Sequence, residues 1–269
     1  MSAGSTKQTA VIGQPIAHSL SPLLHNAVYK KEGVDANMTA IAGPDIAPLV
    51  DMIRSIPLDL VAVTIPHKQT IMPFLDEIDA EAKKIGAVNT IINRDGKLTG
   101  YNTDITGVRI ALSGIVLEGK NVLLIGAGGV AQTVAYFLKE SGAKMFCLNR
   151  ELDMAERLCA RFGGVVVPNK ESLNAEMFDV IVNATPLGLK PGDPLPISLD
   201  FFRPGVTLFD LIYTPTPLQA GAAEKGAEVI SGLSMFVAQG LEQEKLWLGR
   251  NILDLGYTAL LRVELEKHA

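Results

Sequence analysis

The chain is poor in cysteine, in clustered basic charge and in long apolar runs. Among 269 residues it has two cysteines, Cys147 and Cys159. Their spacing matches no metal-binding pattern, so no metal is expected and reduced thiols of a cytoplasmic protein are. Lys and Arg number 24 against 29 Asp and Glu, for a net charge of −5. That balance argues against a general nucleic-acid binder, which neutralises phosphates with an excess of Lys and Arg. No apolar run approaches the ~20 residues of a membrane span. The first residues, MSAGSTKQ, are polar and lack the apolar core of a signal peptide. A cytoplasmic location and small-molecule partners are the expectation, with a monomer or a homodimer both open. Repeats and low-complexity linkers are absent as well. What is present is an ordinary globular mixture, 48% hydrophobic and 20% charged, at a length that suits one large or two ordinary domains.

Short β-branched runs alternate with helical patterns from end to end, the mark of an α/β protein. Strands are expected at 9–12, 38–42, 60–65, 87–92, 122–125, 144–148, 165–167, 180–183, 207–210 and 228–230. A helix is expected from Ser21 as cap and Pro22 at the first position, with Leu23, Leu24, Ala27 and Val28 on one face, to a close at Gly33. Others are expected over 130–141, 153–162, 237–248 and 252–266. The order of elements divides the chain into residues 1–105, a substrate domain completed by 237–269, and residues 106–236, a doubly wound Rossmann-type domain. The C-terminal helices return to the first domain in this reading.

Glycine concentrates where it carries chemistry. Residues 121–131 read NVLLIGAGGVA, a buried-type strand that runs into G-x-G-x-x-A and then a helix. Gly126 permits the tight turn and Gly128 lets backbone approach a pyrophosphate. The small Ala131 lets the helix sit close to the sheet. Amides at the helix start, at Gly129 and Val130, then face the phosphates. The end of the next strand selects the nucleotide. NAD binders carry an acid there for the ribose 2′-hydroxyl, but here Leu148 is followed by Asn149, Arg150 and Glu151. Arg150 suits a 2′-phosphate and so points to NADP, with NAD left open because Glu151 is an unfavourable neighbour for that phosphate.

Two further clusters are out of the ordinary. Residues 13–26 read GQPIAHSLSPLLHN, with Ser19 and Ser21 just ahead of a helix. One hydroxyl there serves as a cap, and Ser21 suits that duty. Ser19 does not need it, and the two together can grip a carboxylate or a polyol with help from the helix dipole. Residues 63–68 read VTIPHK at a strand end, where open α/β sheets place ligands. Taken alone, Lys68 reads as a surface lysine and His67 as its solvated neighbour. GAVNT at 86–90 and NTD at 102–104 add polar insets beside apolar strands, and these bring Lys68 into question as a functional group.

In sequence order these segments give G-x-P-x-x-H-S-x-S-P-x-x-H-N, V-T-x-P-x-K, G-A-V-N-T, N-T-D, G-A-G-G-x-A, N-R and N-A-T. The set resembles the shikimate dehydrogenase family over essentially the whole chain. The resemblance implies a substrate domain around a Rossmann domain, and reversible NADP-linked interconversion of 3-dehydroshikimate and shikimate. It implies Lys68 and Asp104 as the catalytic pair. Ser19 and Ser21 would hold the substrate carboxylate, and Asn89, Asp104 and Gln239 the ring hydroxyls, with Thr64 and Tyr213 as further substrate contacts. Gly126, Gly128, Gly129, Val130 and Ala131 match the cofactor turn. Asn149, Arg150, Asn183, Thr185 and Gly232 match the remaining cofactor contacts. Lys68 would donate or accept the proton while Asp104 holds the lysine and the substrate hydroxyl.

Departures cluster near substrate and ribose. Ala62 stands where the family has Asn, and Ile105 where it has Gly. Glu151, Met154 and Pro186 stand where it has Thr, Arg and Ser, and the segment after Tyr213 is short. They leave open an NAD-linked quinate/shikimate dehydrogenase or a divergent paralogue. A non-catalytic metabolite-binding module is the rival from another class, and the retained Lys68 and Asp104 speak against it.

Overall fold

Strands that are apolar at every position need cover on both faces, and this organises both halves of the chain. A computed structural model describes residues 6–56 and 58–267. It divides the chain into one unit of the described residues through Thr106 and from Val237 onward, and a second unit of Gly107–Phe236.

The first unit holds β1 (Lys7–Gly13), β2 (Ala36–Ala42), β3 (Leu58–Val63), β4 (Glu77–Ile78), β5 (Thr90–Arg94) and β6 (Lys97–Tyr101), in the order β2-β1-β3-β5-β6-β4. β1 runs parallel to β2 and β3, while β5 is antiparallel to β3 and β6. Alternate side chains of β3 enter different cores. Val61 and Val63 pack with Leu49, Val50 and Ile53 of the helix Ile46–Ser55. Leu60 and Ala62 pack with Tyr29 and Trp247, whose rings meet edge to face at 5.6 Å. Trp247 comes from the helix Gly232–Leu248, so the C-terminal segment closes one face of this sheet.

The second unit holds β7 (Asn121–Ile125), β8 (Lys144–Leu148), β9 (Val165–Val167), β10 (Val180–Asn183), β11 (Thr207–Asp210) and β12 (Glu228–Ser231). All pairings are parallel, in the order β12-β11-β10-β7-β8-β9. Counted within the unit, this is the doubly wound dinucleotide-binding order, which reverses between β7 and β10. Leu123, Ile125, Ile181 and Leu208 pack against Phe178, Phe201 and Phe202. Among the described residues, no helix is long and apolar enough to cross a membrane.

Several local expectations are corrected. β3 ends at Val63, because Ile65 turns its carbonyl to the Gln14 amide at 2.8 Å and Thr64 accepts from the His67 amide at 2.9 Å. β5 begins only at Thr90, since Ala87 and Val88 bond outward to Asn102 and to the Lys68 carbonyl. The hairpin β5–β6 was unforeseen, although Asp95 and Gly96, at φ 53° and 89°, form the two-residue left-handed turn that such hairpins favour. The helix Ser21–Glu32 ends on Gly33 in the left-handed region as expected, but Ser21 is not its cap. Ser21 is the first helical residue and is buried, and its amide donates to Ser19 Oγ at 3.2 Å. Leu20 stands at the cap position and the helix has no side-chain cap, so Ser19 only braces its first residue.

The last helix starts at Tyr257, not 252. Gly256 sits at φ 101°, and Asp254 Oδ1 accepts from the amides of Gly256, Tyr257 and Thr258 at 3.1, 2.7 and 3.3 Å. Asp254 Oδ2 accepts from the Thr258 hydroxyl at 2.5 Å. Partial burial works against the charged form, but the bonds from Thr258, Tyr257 and Gly256 outweigh it and hold this carboxyl below its ordinary 3.8. A depressed carboxyl stabilises the fold fully above that ordinary value, and the contribution fades as pH falls through the lower folded value. Asp254→Ala should cost about 1 kcal/mol in urea unfolding at neutral pH. The deficit should shrink in strong acid; an equal deficit at pH 7 and pH 2 would show that the carboxylate is not the cap.

Candidate active site

β1 and β3 are parallel neighbours, so the loops that leave them at Gly13 and Val63 emerge from the same edge of the sheet. The two loops are bonded through Gln14 and Ile65. A Cβ at Gly13 would fall 2.5 Å from Thr64 Cγ2 and 2.8 Å from the Ile65 carbonyl oxygen, so only glycine fits this crossing. Ser19 and Thr64 are half-buried on these loops, and Ser21 is buried beside them. His67 is not solvated. It is 2% exposed, with Nε2 2.7 Å from the Gly43 carbonyl oxygen. That anchor fixes the four-residue helix His67–Thr70 on which Lys68 sits. From the other side, the Val88 amide donates to the Lys68 carbonyl at 2.7 Å.

Lys68 Nζ donates to Asp104 Oδ2 at 2.6 Å, with side-chain exposures of 13% and 5%. A carboxylate so far out of water needs its other oxygen satisfied too. Asn89 Nδ2 donates to Asp104 Oδ1 at 3.0 Å, and lies 2.9 Å from Thr103 Oγ1 and 3.2 Å from Gln239 Oε1. The Asn89 amide is held the right way round by a backbone donor, since the Thr103 amide donates to Asn89 Oδ1 at 2.7 Å. Asp104 is also the first residue of the helix Asp104–Ala111, where the helix dipole favours an anion. Four residues expected from the sequence, Lys68, Asp104, Asn89 and Gln239, are thus one bonded cluster. Lys68 keeps some solvent exposure, so its remaining N–H groups can meet a ligand while Asp104 orients it. The arrangement can hold a hydroxyl or a carbonyl oxygen and pass it a proton.

Sequence reasoning missed Gln243, which is 1% exposed and donates to Thr90 Oγ1 at 3.0 Å. Its spacing of four from Gln239 within a helical run was the available signal.

In the second unit, β7 runs into Gly126 at φ 109°, where a Cβ would also fall 3.0 Å from the Ala184 carbonyl oxygen. Both the backbone angle and the approach of the next strand's loop demand glycine there. At Gly128 an added Cβ would meet nothing within 4 Å. This open cradle lies ahead of the helix Gly129–Glu140, which has no acidic residue in its first turn and no side-chain cap. Its first amides, at Gly129, Val130 and Ala131, are available to an anion. These residues fit a dinucleotide pyrophosphate. Behind the turn, burial pushes the Cys147 thiol up to about 12, with Cys159 beside it adding to the effect. This thiol stays protonated.

At the end of β8, Asn149 Nδ2 donates to the Glu151 carbonyl at 2.8 Å. Arg150 is 93% exposed on its side chain and is paired with the Glu151 carboxylate at 3.2 Å. Asn183 is fully buried; it donates to Asp210 Oδ1 at 3.0 Å and accepts from the Thr185 hydroxyl at 2.7 Å. Its side chain is spent on shaping the loop that carries Thr185. At Gly232, a Cβ would fall 2.0 Å from the Leu211 carbonyl oxygen, so this position admits no side chain. Tyr213 belongs to this unit and packs its ring on Phe236 at 5.0 Å.

A family model described as shikimate dehydrogenase substrate binding domain matches residues 11–91. One described as shikimate / quinate 5-dehydrogenase matches residues 109–187. A shikimate dehydrogenase (NADP(+)) of Pyrococcus furiosus is 38% identical over 252 residues, which cover 91% of this chain and 92% of that protein. Among solved structures, shikimate dehydrogenase from Aquifex aeolicus is similar with a TM-score of 0.90 at 35% identity, covering 96% of this chain and 98% of that one. The shikimate 5-dehydrogenase of Thermus thermophilus in complex with NADP(H) and shikimate gives 0.85 at 32% identity, covering 95% and 98%. With relatives of this identity matched along nearly its full length, the chain belongs to the shikimate dehydrogenase family.

Proposed function

We propose that this chain catalyses the reversible, NADP-linked interconversion of 3-dehydroshikimate and shikimate. The observation that carries the reading is the buried Lys68–Asp104 pair at 2.6 Å, held by Asn89. A protein that only bound a metabolite would have no use for a proton-transfer pair built at that desolvation cost. Residues 1–105 with 237–269 form the substrate-binding part, and 106–236 the dinucleotide-binding part.

NADP supplies hydride chemistry at the ring carbon when bound. The chain's own residues do the rest. In the oxidation direction, Lys68 takes the hydroxyl proton at Nζ, and in reduction it returns one to the carbonyl oxygen. Asp104 holds the lysine Nζ and the substrate hydroxyl together, the lysine being the amine before it takes the proton and the ammonium after. Asn89 and Gln239 orient the neighbouring ring hydroxyls. Ser19 and Ser21 hold the substrate carboxylate, with Thr64 and Tyr213 lining the ring. The amides following Gly128 hold the pyrophosphate, and Thr185 and Gly232 shape the remaining cofactor wall. The enzyme works in the cytoplasm on small molecules, as a monomer or homodimer, without nucleic-acid partners.

The direct test is oxidation of shikimate followed at the nicotinamide absorbance band, with quinate and NAD in parallel. No turnover of shikimate with either cofactor would refute the reading. Lys68→Ala should lower kcat by about two to four orders of magnitude, the size of a lost general acid–base. The KM for shikimate should move far less, and a near-normal kcat would make Lys68 a bystander. In Asp104→Asn, either Lys68 or Asn89 must face an amide N–H in place of an oxygen. Turnover should fall more than tenfold while NADP titration and circular dichroism stay as in the wild type. An equal loss of NADP affinity would remove Asp104 from the substrate side.

Cofactor choice rests on Arg150. Its charge-assisted bonds suit a 2′-phosphate, but Glu151 already holds the guanidinium at 3.2 Å and repels that phosphate. An exposed ion pair is weak and easily exchanged, so NADP should win by only about ten- to hundredfold in kcat/KM. Glu151→Thr should widen that ratio, and Arg150→Ala should erase it while sparing NAD. Unchanged selectivity in Arg150→Ala would move the discrimination elsewhere.

A further inference from the structure

The helix Gly232–Leu248 sets Gln239 and Gln243 one turn apart, on the same face. Gln239 meets Asn89 directly. Gln243 touches neither Lys68 nor Asp104, yet a continuous line of hydrogen bonds joins it to both. Its Nε2 donates to Thr90 Oγ1 at 3.0 Å and lies 3.3 Å from the Asn89 backbone carbonyl oxygen. A threonine hydroxyl has one proton to give. Having accepted from Gln243, Thr90 gives that proton to Asn89 Oδ1 at 2.8 Å. Asn89 Oδ1 is thereby fixed on the side away from the reaction, where the Thr103 amide also donates. Asn89 Nδ2 is left to face Asp104 Oδ1, and Asp104 Oδ2 accepts from Lys68.

The other end of the Gln243 amide argues that this line has a purpose. Its Oε1 is buried and has no hydrogen-bond partner among the described residues. A buried acceptor left unpaired costs stability. A side chain wanted only for packing would be better as methionine or leucine, which fill similar space without that cost. The chain bears the cost at a residue whose Nε2 is committed to the Thr90 hydroxyl and to the backbone carbonyl of Asn89 itself.

We infer that Gln243 is a positioning residue for the proton-transfer pair, acting through Thr90 and Asn89. The inference rests on the activity proposed above. Without the Gln243 donor, the Thr90 hydroxyl is free to turn toward Thr103 Oγ1, 3.2 Å away. Asn89 Oδ1 then loses one of its donors, and the amide that holds Asp104 is less firmly oriented. Ground-state binding is little affected, because Gln243 reaches no ligand; the loss falls on turnover.

The test uses the full-length protein with shikimate and NADP. Gln243→Met, which keeps length and volume, should lower kcat roughly tenfold, the scale of one buried hydrogen bond lost behind a positioned group. KM for NADP should stay within about twofold, and the thermal midpoint should hold or rise, because the unpaired Oε1 is gone. Thr90→Val breaks the same line one link further on and should lower kcat to a similar extent. The double variant should be no slower than the slower single variant, since both remove one connected path. Thr90→Val also carries the test alone if Gln243→Met fails to fold. A wild-type kcat in Gln243→Met or in Thr90→Val, or multiplicative losses in the double variant, would overturn the inference. So would a kcat loss matched by a fall in the midpoint and in NADP affinity, which is the pattern of disturbed packing. A wild-type chain inert toward shikimate would instead overturn the activity itself, and the inference with it.

Discussion

A carboxylate nearly cut off from water must have its lone pairs met from within the fold, and Asp104 imposes that demand on the whole first unit. One oxygen is met by Lys68 and the other by Asn89. Meeting it through Asn89 requires an amide that cannot flip, which the Thr103 amide and the Thr90 hydroxyl secure. Thr90 begins β5 and Thr103 lies just past the end of β6, so the hairpin register becomes part of what holds the ion pair. The short helix under Lys68 is pinned by His67 to Gly43 and by Val88 from above. A single ion pair thus draws on β1, β3, the hairpin and the helix Gly232–Leu248 at once.

The second unit answers a different demand. An anion with two phosphates is bound by backbone, which requires glycine where side chains would intrude and a helix start free of acid. Gly126 and Gly128 meet these requirements in different ways. Gly126 is hemmed in by Ala184 and holds a left-handed angle, whereas Gly128 has empty space in front of it. The first glycine is required by the protein's own packing and the second leaves open space ahead of the helix start.

The two units were unequally legible. Strands of the parallel sheet are buried on both faces, so β7, β8, β10 and β11 stand out as unbroken apolar runs. The mixed sheet hid more. β6 alternates Leu98 with exposed or half-buried neighbours, and its clearest signal was the Asp95–Gly96 turn before it. Lys68 and Asp104, and the hold of one on the other, were visible by resemblance alone, because no local pattern marks a bond between residues 36 apart across a sheet crossing. His67 was misread for a similar reason: its burial depends on a carbonyl 24 residues earlier, at Gly43. Ser19 and Ser21 were both seen, but neither caps the helix, because its cap position falls on Leu20, one residue ahead of the expected one. Gln243 escaped although its spacing from Gln239 put it on the same helix face, because that spacing does not say which residues lie across from it.

The interrupted layout of the first unit has a consequence for synthesis. Trp247, which covers one face of the first sheet, and Gln239, which completes the hydrogen-bonded cluster around Asn89, lie beyond the entire second unit in the chain. On the ribosome, residues 107–236 emerge before them, and domains fold as units while the chain grows. The parallel sheet can therefore close around its own core while the first sheet still waits for its cover. A nascent chain reaches a folded parallel-sheet unit before the cluster around Asp104 and Asn89 has its last member, so the first unit gains its final packing only with the helix that carries Gln239 and Trp247.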